Sequence, residues 1–258
     1  MESYLQEKRK NLAIVRILVF GGTTEGKQVA KILDQLEYSY FYSTKTKVEY
    51  KGKGIPIHGA MTTSFLEDFC TQNEITHIIN ASHPFAVELH KTVSDISVAI
   101  PLIRFQRKFS SRVIDPKVFY VDSFEEAIQH FNKNKYSSLV ALSGVQTIVK
   151  LKSYWKNHSA WFRILDRDSS RAIATEAGFP TTNLLFGYPQ SKEEEINLFT
   201  KLSPDAVFTK ESGSNGKLEE KIEAALFLEI PMVILKRPKI SNRYICIQTE
   251  EELIKELQ

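Results

Sequence analysis

Short β-branched runs alternate with helical stretches along nearly the whole chain, and few folds are compatible with that alternation. Residues 14–20 form an apolar run that reads as a buried strand. Residues 25–36 follow with apolar side chains at Val29, Ala30, Ile32, Leu33 and Leu36, the spacing of a helix. Further strands are expected at 38–43, 76–80 and 101–104, with helices over 65–71 and 86–97. Around 109–117 the pattern breaks at Ser110, Ser111, Asp115 and Pro116, which marks a linker. Beyond it the alternation restarts. Ser123 caps a helix reaching 131, and strands are expected at 139–142, 161–165, 206–209, 232–235 and 244–247. Helices are expected over 169–177 and 218–228, and a short acidic helix follows the last strand. This period implies βαβ units and parallel sheets, and two such runs imply two Rossmann-like α/β domains. The expected division is a tail over 1–12, an N-terminal domain over 13–112 and a C-terminal domain over 113–258.

Composition narrows the function classes. The 34 basic and 31 acidic residues give a net charge of +3, too small an excess to argue for nucleic acid. No run approaches about 20 apolar residues, so no membrane span is expected. The basic stretch Glu7-Lys8-Arg9-Lys10 lacks a neighbouring apolar segment and does not read as a signal peptide. Cys70 and Cys246 are the only cysteines and have no metal-ligand spacing, so a reduced cytoplasmic protein with no metal site is the simplest reading. There is no Walker-type phosphate loop and no Gly-x-Ser-x-Gly elbow.

The candidate chemistry sits in loops that follow strands, where open α/β sheets bind ligands. Gly21-Gly22-Thr23-Thr24-Glu25-Gly26 lies between the first strand and first helix. Glycines there let the backbone turn close to a phosphate, and the helix N-terminus offers free N–H donors. Thr23 stands where the middle glycine of a dinucleotide fingerprint would be, and a tight turn without a ligand fits the same residues. The second strand ends in Ser43-Thr44-Lys45-Thr46-Lys47 rather than in an acidic residue. Hydroxyls and lysines there suit a 2′-phosphate and favour NADPH, although an exposed basic turn has the same composition. Ser82-His83-Pro84-Phe85 follows the strand at 76–80, and His83 is a candidate for binding an anion or transferring a proton. Ser143-Gly144 and Lys210-Glu211-Ser212-Gly213 are two further small-residue loops. Arg104, Arg107 and Lys108 follow one strand and Lys236 and Arg237 another, which suits a polyanionic substrate.

These residues resemble a known family. Residues 17–26 resemble the opening of the precorrin-6A reductases. His83-Pro84-Phe85-Ala86, the run Thr209-Lys210-Glu211-Ser212-Gly213 with Gly216 and Glu220-Lys221, and Arg237-Pro238 resemble three further family motifs, in the same order. The resemblance implies NADPH-dependent reduction of the precorrin-6A macrocycle, or of its cobalt form, in cobalamin (vitamin B12) biosynthesis. It also implies two Rossmann-like domains with a cleft between them. Gly21 to Gly26, Ser43, Thr44, Lys45 and Ser82 to Phe85 would then serve NADPH. Arg104, Arg107, Ser143, Gly144, Lys210, Ser212, Gly213 and Arg237 would serve the tetrapyrrole, with His83 the candidate proton donor. The chain departs from the family at Asn80, where an aspartate is usual, after Ser43, where Ser-x-Ala-Gly-Arg is usual, and at Gly216-Lys217, where Gly-Gly is usual. A monomer or weak homodimer is expected, with hand-over to neighbouring corrin-pathway enzymes. Two alternatives stand beside this reading: another NAD(P)-dependent Rossmann-type reductase, and a non-catalytic nucleotide-sensing module.

Overall fold

Every second side chain of the first strand faces a different apolar layer, which is what a sheet covered on both sides requires. In a computed structural model, which describes residues 15–107 and 109–258, this strand is β1, Arg16–Phe20. The tail expected over 1–12 lies outside the described residues, as does Lys108. The chain continues through α1 (Thr24–Gln35), β2 (Ser39–Thr44), β3 (Ile55–His58), α2 (Thr63–Gln72), β4 (His77–Asn80), α3 (Val87–Ser94) and β5 (Leu102–Phe105). Next come β6 (Val118–Val121), α4 (Phe124–Lys133), β7 (Ser138–Ala141), α5 (Gln146–Lys150), α6 (Lys152–Trp155), β8 (Ser159–Ile164), α7 (Asp168–Glu176) and β9 (Leu184–Phe186). The remainder is α8 (Lys192–Leu202), β10 (Ala206–Lys210), α9 (Leu218–Phe227), β11 (Met232–Leu235), β12 (Tyr244–Ile247) and α10 (Glu250–Glu256).

Two compact units result, 15–107 with 238–258 and 109–237. The first holds a six-stranded sheet in the order β12-β5-β4-β1-β2-β3, and every pairing is parallel. Ile17 and Val19 face a layer containing Val29 and Leu33 of α1 and Leu253 of α10. Leu18 and Phe20 face the opposite layer, with Leu66 and Cys70 of α2 and Val93 of α3. The second unit holds a six-stranded parallel sheet in the order β6-β11-β10-β7-β8-β9. Phe199 of α8 and Ile222, Ala224 and Ala225 of α9 cover one face. Phe131 meets Phe208 and Tyr154 edge-on, with ring centroids 5.9 and 5.1 Å away.

The expected domain division is corrected in two respects. Residues 238–258 do not belong with the second unit, because β12 pairs in parallel with β5, Tyr244 opposite Leu102 and Ile247 opposite Phe105. Apolar β12 and the Leu253 face of α10 complete the first unit's core. The first boundary falls at 107–109, a few residues before the expected 112/113. Read outward from β1 and from β7, both sheets have the 3-2-1-4-5-6 order of a doubly wound dinucleotide fold. The sixth position of the first sheet is filled by β12, which follows the whole second unit in sequence, and that of the second sheet by β6, which directly precedes β7.

Candidate functional site

The order of the first sheet reverses between β1 and β4, and a switch point of this kind is where doubly wound sheets bind ligands. The loops after these two strands hold the first two groups of candidate residues. Gly22 has a φ of +85°, a left-handed turn natural to glycine. Gly26 packs so tightly that a Cβ would lie 2.7 Å from the Cα of Gly21, which fits the close strand-to-helix passage of dinucleotide-binding turns. Thr23 is spent on structure: its hydroxyl accepts from the Gly26 N–H at 3.0 Å and donates to the Ala81 carbonyl at 2.6 Å. It is therefore the N-cap of α1 rather than the ligand donor expected of it. Glu25 is buried in the first turn and forms an ion pair with Arg107 at 2.7 Å. Arg107 thus neutralises the one acidic group beside the helix N-terminus, which would otherwise repel a phosphate.

The loop after β4 is fixed by a buried polar network. Asn80 Oδ1 accepts from the Ser82 N–H, from the Ser82 hydroxyl at 2.7 Å and from Arg104 at 3.0 Å. Its amide donates to His90 Nδ1 at 3.1 Å and to the Tyr244 hydroxyl at 3.0 Å. His90 Nε2 then donates to the Pro84 carbonyl at 3.2 Å, so the ring is neutral. Burial, reinforced by the charge of Arg104, pushes the His90 pKa down to about 4. Arg104 is 2% exposed and donates to the carbonyls of Asn80 and Ser82, both at 2.9 Å. Nη1 and Nη2 of its guanidinium thus hold this loop, while Nε is buried without a hydrogen-bond partner among the described residues. His83 lies exposed at the tip, with Nδ1 accepting from the Phe85 N–H at 3.1 Å. That bond leaves Nε2 to carry the proton of the neutral ring.

At the end of β2, Ser43 and Thr44 are buried while Lys45 is exposed. The Thr44 hydroxyl donates to the Thr46 carbonyl at 2.9 Å and lies 2.9 Å from His58 Nδ1, so it too is engaged within the protein. Of this group Lys45 is the residue presented to solvent.

In the second unit the sheet's carboxyl edge carries the remaining candidates. Gly144 has a φ of +83° with nothing within 4 Å of a would-be Cβ, and Ser143 bonds to the Thr147 hydroxyl at 2.7 Å. Glu211 is 4% exposed and accepts from Arg112 through both oxygens, at 2.9 and 3.0 Å, and from the Arg237 backbone N–H at 3.0 Å. Burial alone would raise its pKa, but these donors outweigh burial and lower it. The Arg237 guanidinium lies over the Phe109 ring at 3.6 Å, with Nη1 buried and lacking a hydrogen-bond partner among the described residues. Lys210 is pushed down to about 8 by burial, and Lys221 likewise to about 8 by burial and by the nearby Arg163 charge. Ser212 and Gly213 continue the Lys210 loop, where Gly213 has a φ of +71°.

The residues missed from sequence are those that hold the loops: Tyr42, His90, Tyr244 and Arg112. Tyr244 is 164 positions from its partner Asn80, a pairing that no local pattern encodes. The mixed Tyr-rich strand β2 did carry a clue, because a tyrosine inside a buried strand needs a partner for its hydroxyl.

Two parallel sheets in this strand order, with small-residue loops at their carboxyl edges, define a doubly wound α/β protein. The profile of the precorrin-6x reductase CbiJ/CobK family matches residues 16–258, and the chain belongs to that family of corrin-pathway oxidoreductases. The cobalt-precorrin-6A reductase of Methanocaldococcus jannaschii is 27% identical over 93% of this chain and 97% of its own. The precorrin-6A reductase of Rhodobacter capsulatus is 23% identical over 92% of this chain and 94% of its own. A solved structure of the CobK precorrin-6A reductase superposes with a TM-score of 0.74 at 21% identity, covering 94% of this chain and 96% of that one. It shares the fold. No helix among the described residues is long and apolar enough to cross a membrane.

Proposed function

We propose that the chain reduces the macrocycle of precorrin-6A, or of its cobalt form, with NADPH, in the cytoplasm. The observation that carries this reading is a family match running from β1 to the last helix, with the glycine turn standing at the switch point of the first sheet. Bound there, a nicotinamide cofactor supplies hydride to an electron-poor carbon of the conjugated ring.

The protein's own part is to bind, orient and deliver a proton. The turn from Gly21 to Gly26, at the N-terminus of α1, would cradle the pyrophosphate. Ser43 and Thr44 shape the adenosine end, and exposed Lys45 meets the 2′-phosphate. Ser82, Pro84 and Phe85 form the wall that the network from Asn80 to His90 holds in place. His83 is the proton donor of this reading, through Nε2. Ser143, Gly144, Lys210, Ser212, Gly213 and Arg237 receive the carboxylate side chains of the tetrapyrrole. A buried ammonium such as Lys210, already pushed down by desolvation, gains strongly from an arriving anion. The enzyme works as a monomer or weak homodimer.

The test follows nicotinamide absorbance with enzymatically made precorrin-6A and with its cobalt form. Turnover with either is the expected result, and the preferred form names the pathway branch. Tight NADPH binding with no reduction of either ring overturns the substrate assignment. A His83→Ala enzyme with unchanged turnover removes His83 as donor.

A further inference from the structure

The first glycine of the turn has a neighbour that no phosphate accounts for. A Cβ on Gly21 would lie 2.2 Å from the Tyr42 ring, and the Gly22 N–H donates to the Tyr42 hydroxyl at 3.0 Å. Tyr42 is 2% exposed and fills the space beneath the turn. Its other side is stacked on Tyr50, with ring centroids 4.2 Å apart and planes 11° from parallel. Tyr50 belongs to the segment after β2 that begins with Lys45, Thr46 and Lys47. The Tyr50 hydroxyl meets that of Tyr40 at 2.5 Å, and Tyr40 donates to Asp34 at 2.6 Å. Asp34, on the last turn of α1, also accepts from the Lys53 N–H at 3.0 Å, and its carbonyl accepts from Lys53 Nζ at 3.0 Å. The lysine segment is therefore clamped at Lys53 and stacked at Tyr50, and through Tyr42 it touches the glycine turn.

A dinucleotide spanning both features has a fixed length between its pyrophosphate and its 2′-phosphate. A phosphate site built from exposed lysines recognises its ligand only if the lysines are held where that phosphate arrives. Resting on the NADPH reading above, the structure assigns to the Tyr42–Tyr50 stack a positioning role: it sets the lysine segment relative to the glycine turn and so determines the preference for a 2′-phosphorylated dinucleotide. Tyr42 and Tyr50 touch the two loops and act through them.

The test compares NADPH with NADH in nicotinamide fluorescence titrations and in KM. Tyr50→Ala is expected to lower the NADPH-over-NADH preference at least tenfold, and Tyr50→Phe, which keeps the stack, to retain it. Tyr42→Phe loses only the bond from the Gly22 N–H, so it should weaken both dinucleotides by one factor and leave the preference intact. A folded Tyr50→Ala protein that keeps the wild-type preference, or weakens both dinucleotides equally, overturns the inference. A second measurement needs no variant: hydrogen exchange across 45–54 of the wild type. Adenosine 2′,5′-bisphosphate should slow these amides while AMP does not, and equal slowing or none by both overturns the assignment. If the wild type binds neither NADPH nor NADH, the cofactor reading fails first and this inference falls with it.

Discussion

Asn80 shows how much one side chain can decide. As an amide it donates to His90 Nδ1 and to Tyr244 while accepting from Ser82 and Arg104, so both its oxygen and its nitrogen are engaged. An aspartate would have no N–H for His90, which would then have to bring its own proton. The neutrality of His90 has a consequence for stability. Its pKa falls from the ordinary 6.5 to about 4 on folding, chiefly through burial and then through Arg104. The unfolded chain therefore binds the proton first as pH drops. The stabilisation is complete above the unfolded value of 6.5 and is lost as pH falls toward about 4. The shift corresponds to about 3 kcal/mol. Urea unfolding at several pH values should show the wild type losing about that much more than His90→Gln across this window. Parallel pH profiles for the two proteins would refute the assignment.

The elements were legible in proportion to their burial. The central strands β1, β4, β7, β10 and β11 carry near-continuous apolar runs because both their faces are covered, and these runs stand out in the sequence. The strands that escaped notice, β3, β6 and β9, all sit at or next to a sheet edge. In β3 none of the residues Ile55, Pro56, Ile57 and His58 is fully buried, so its sequence lacks the apolar run. Helix α8 was missed for a different reason. Its Ser191–Glu194 capping box is plain, but its face reads as a run of glutamates, one of which, Glu195, is buried against Arg163 at 2.5 Å. The glycine turn was found from its composition, whereas the role of Thr23 required its partner on β4's far side, Ala81. That cap ties α1 to the end of the neighbouring strand. Thr23→Val should cost about 1–2 kcal/mol, and Thr23→Ser should restore most of it. Thermal unfolding of the two variants checks this, and a Val variant as stable as the wild type would remove the cap from the account.

For the molecule entire, the unexpected feature is the strand exchange. Each sheet follows one winding order, yet the sixth strand of the first, β12, is reached only after the whole second unit has intervened in the sequence. The second unit is nevertheless continuous, because β6 precedes β7 directly and all six of its strands lie within 109–237. The first unit is not continuous: without 238–258 it lacks Tyr244, Ile247, Leu253 and Leu257 from its two apolar layers. A fragment of 109–237 is thus expected to unfold cooperatively on its own, and a fragment of 1–107 is expected to lack a cooperative transition until a peptide of 238–258 is added. Circular dichroism melts of the fragments decide the matter, and a cooperative melt of 1–107 alone would show that β12 is dispensable.

The same exchange sets an order of events in the cell. The ribosome delivers β1 to β5 first and β12 nearly last. At the usual pace of translation the edge of β5 and the half-built layers around it wait on the order of ten seconds for their last strand. The half of the protein that is made second is the half that can close first. Until the final residues emerge, the nascent first unit presents an open strand edge and uncovered apolar surface, which is the kind of surface chaperones hold.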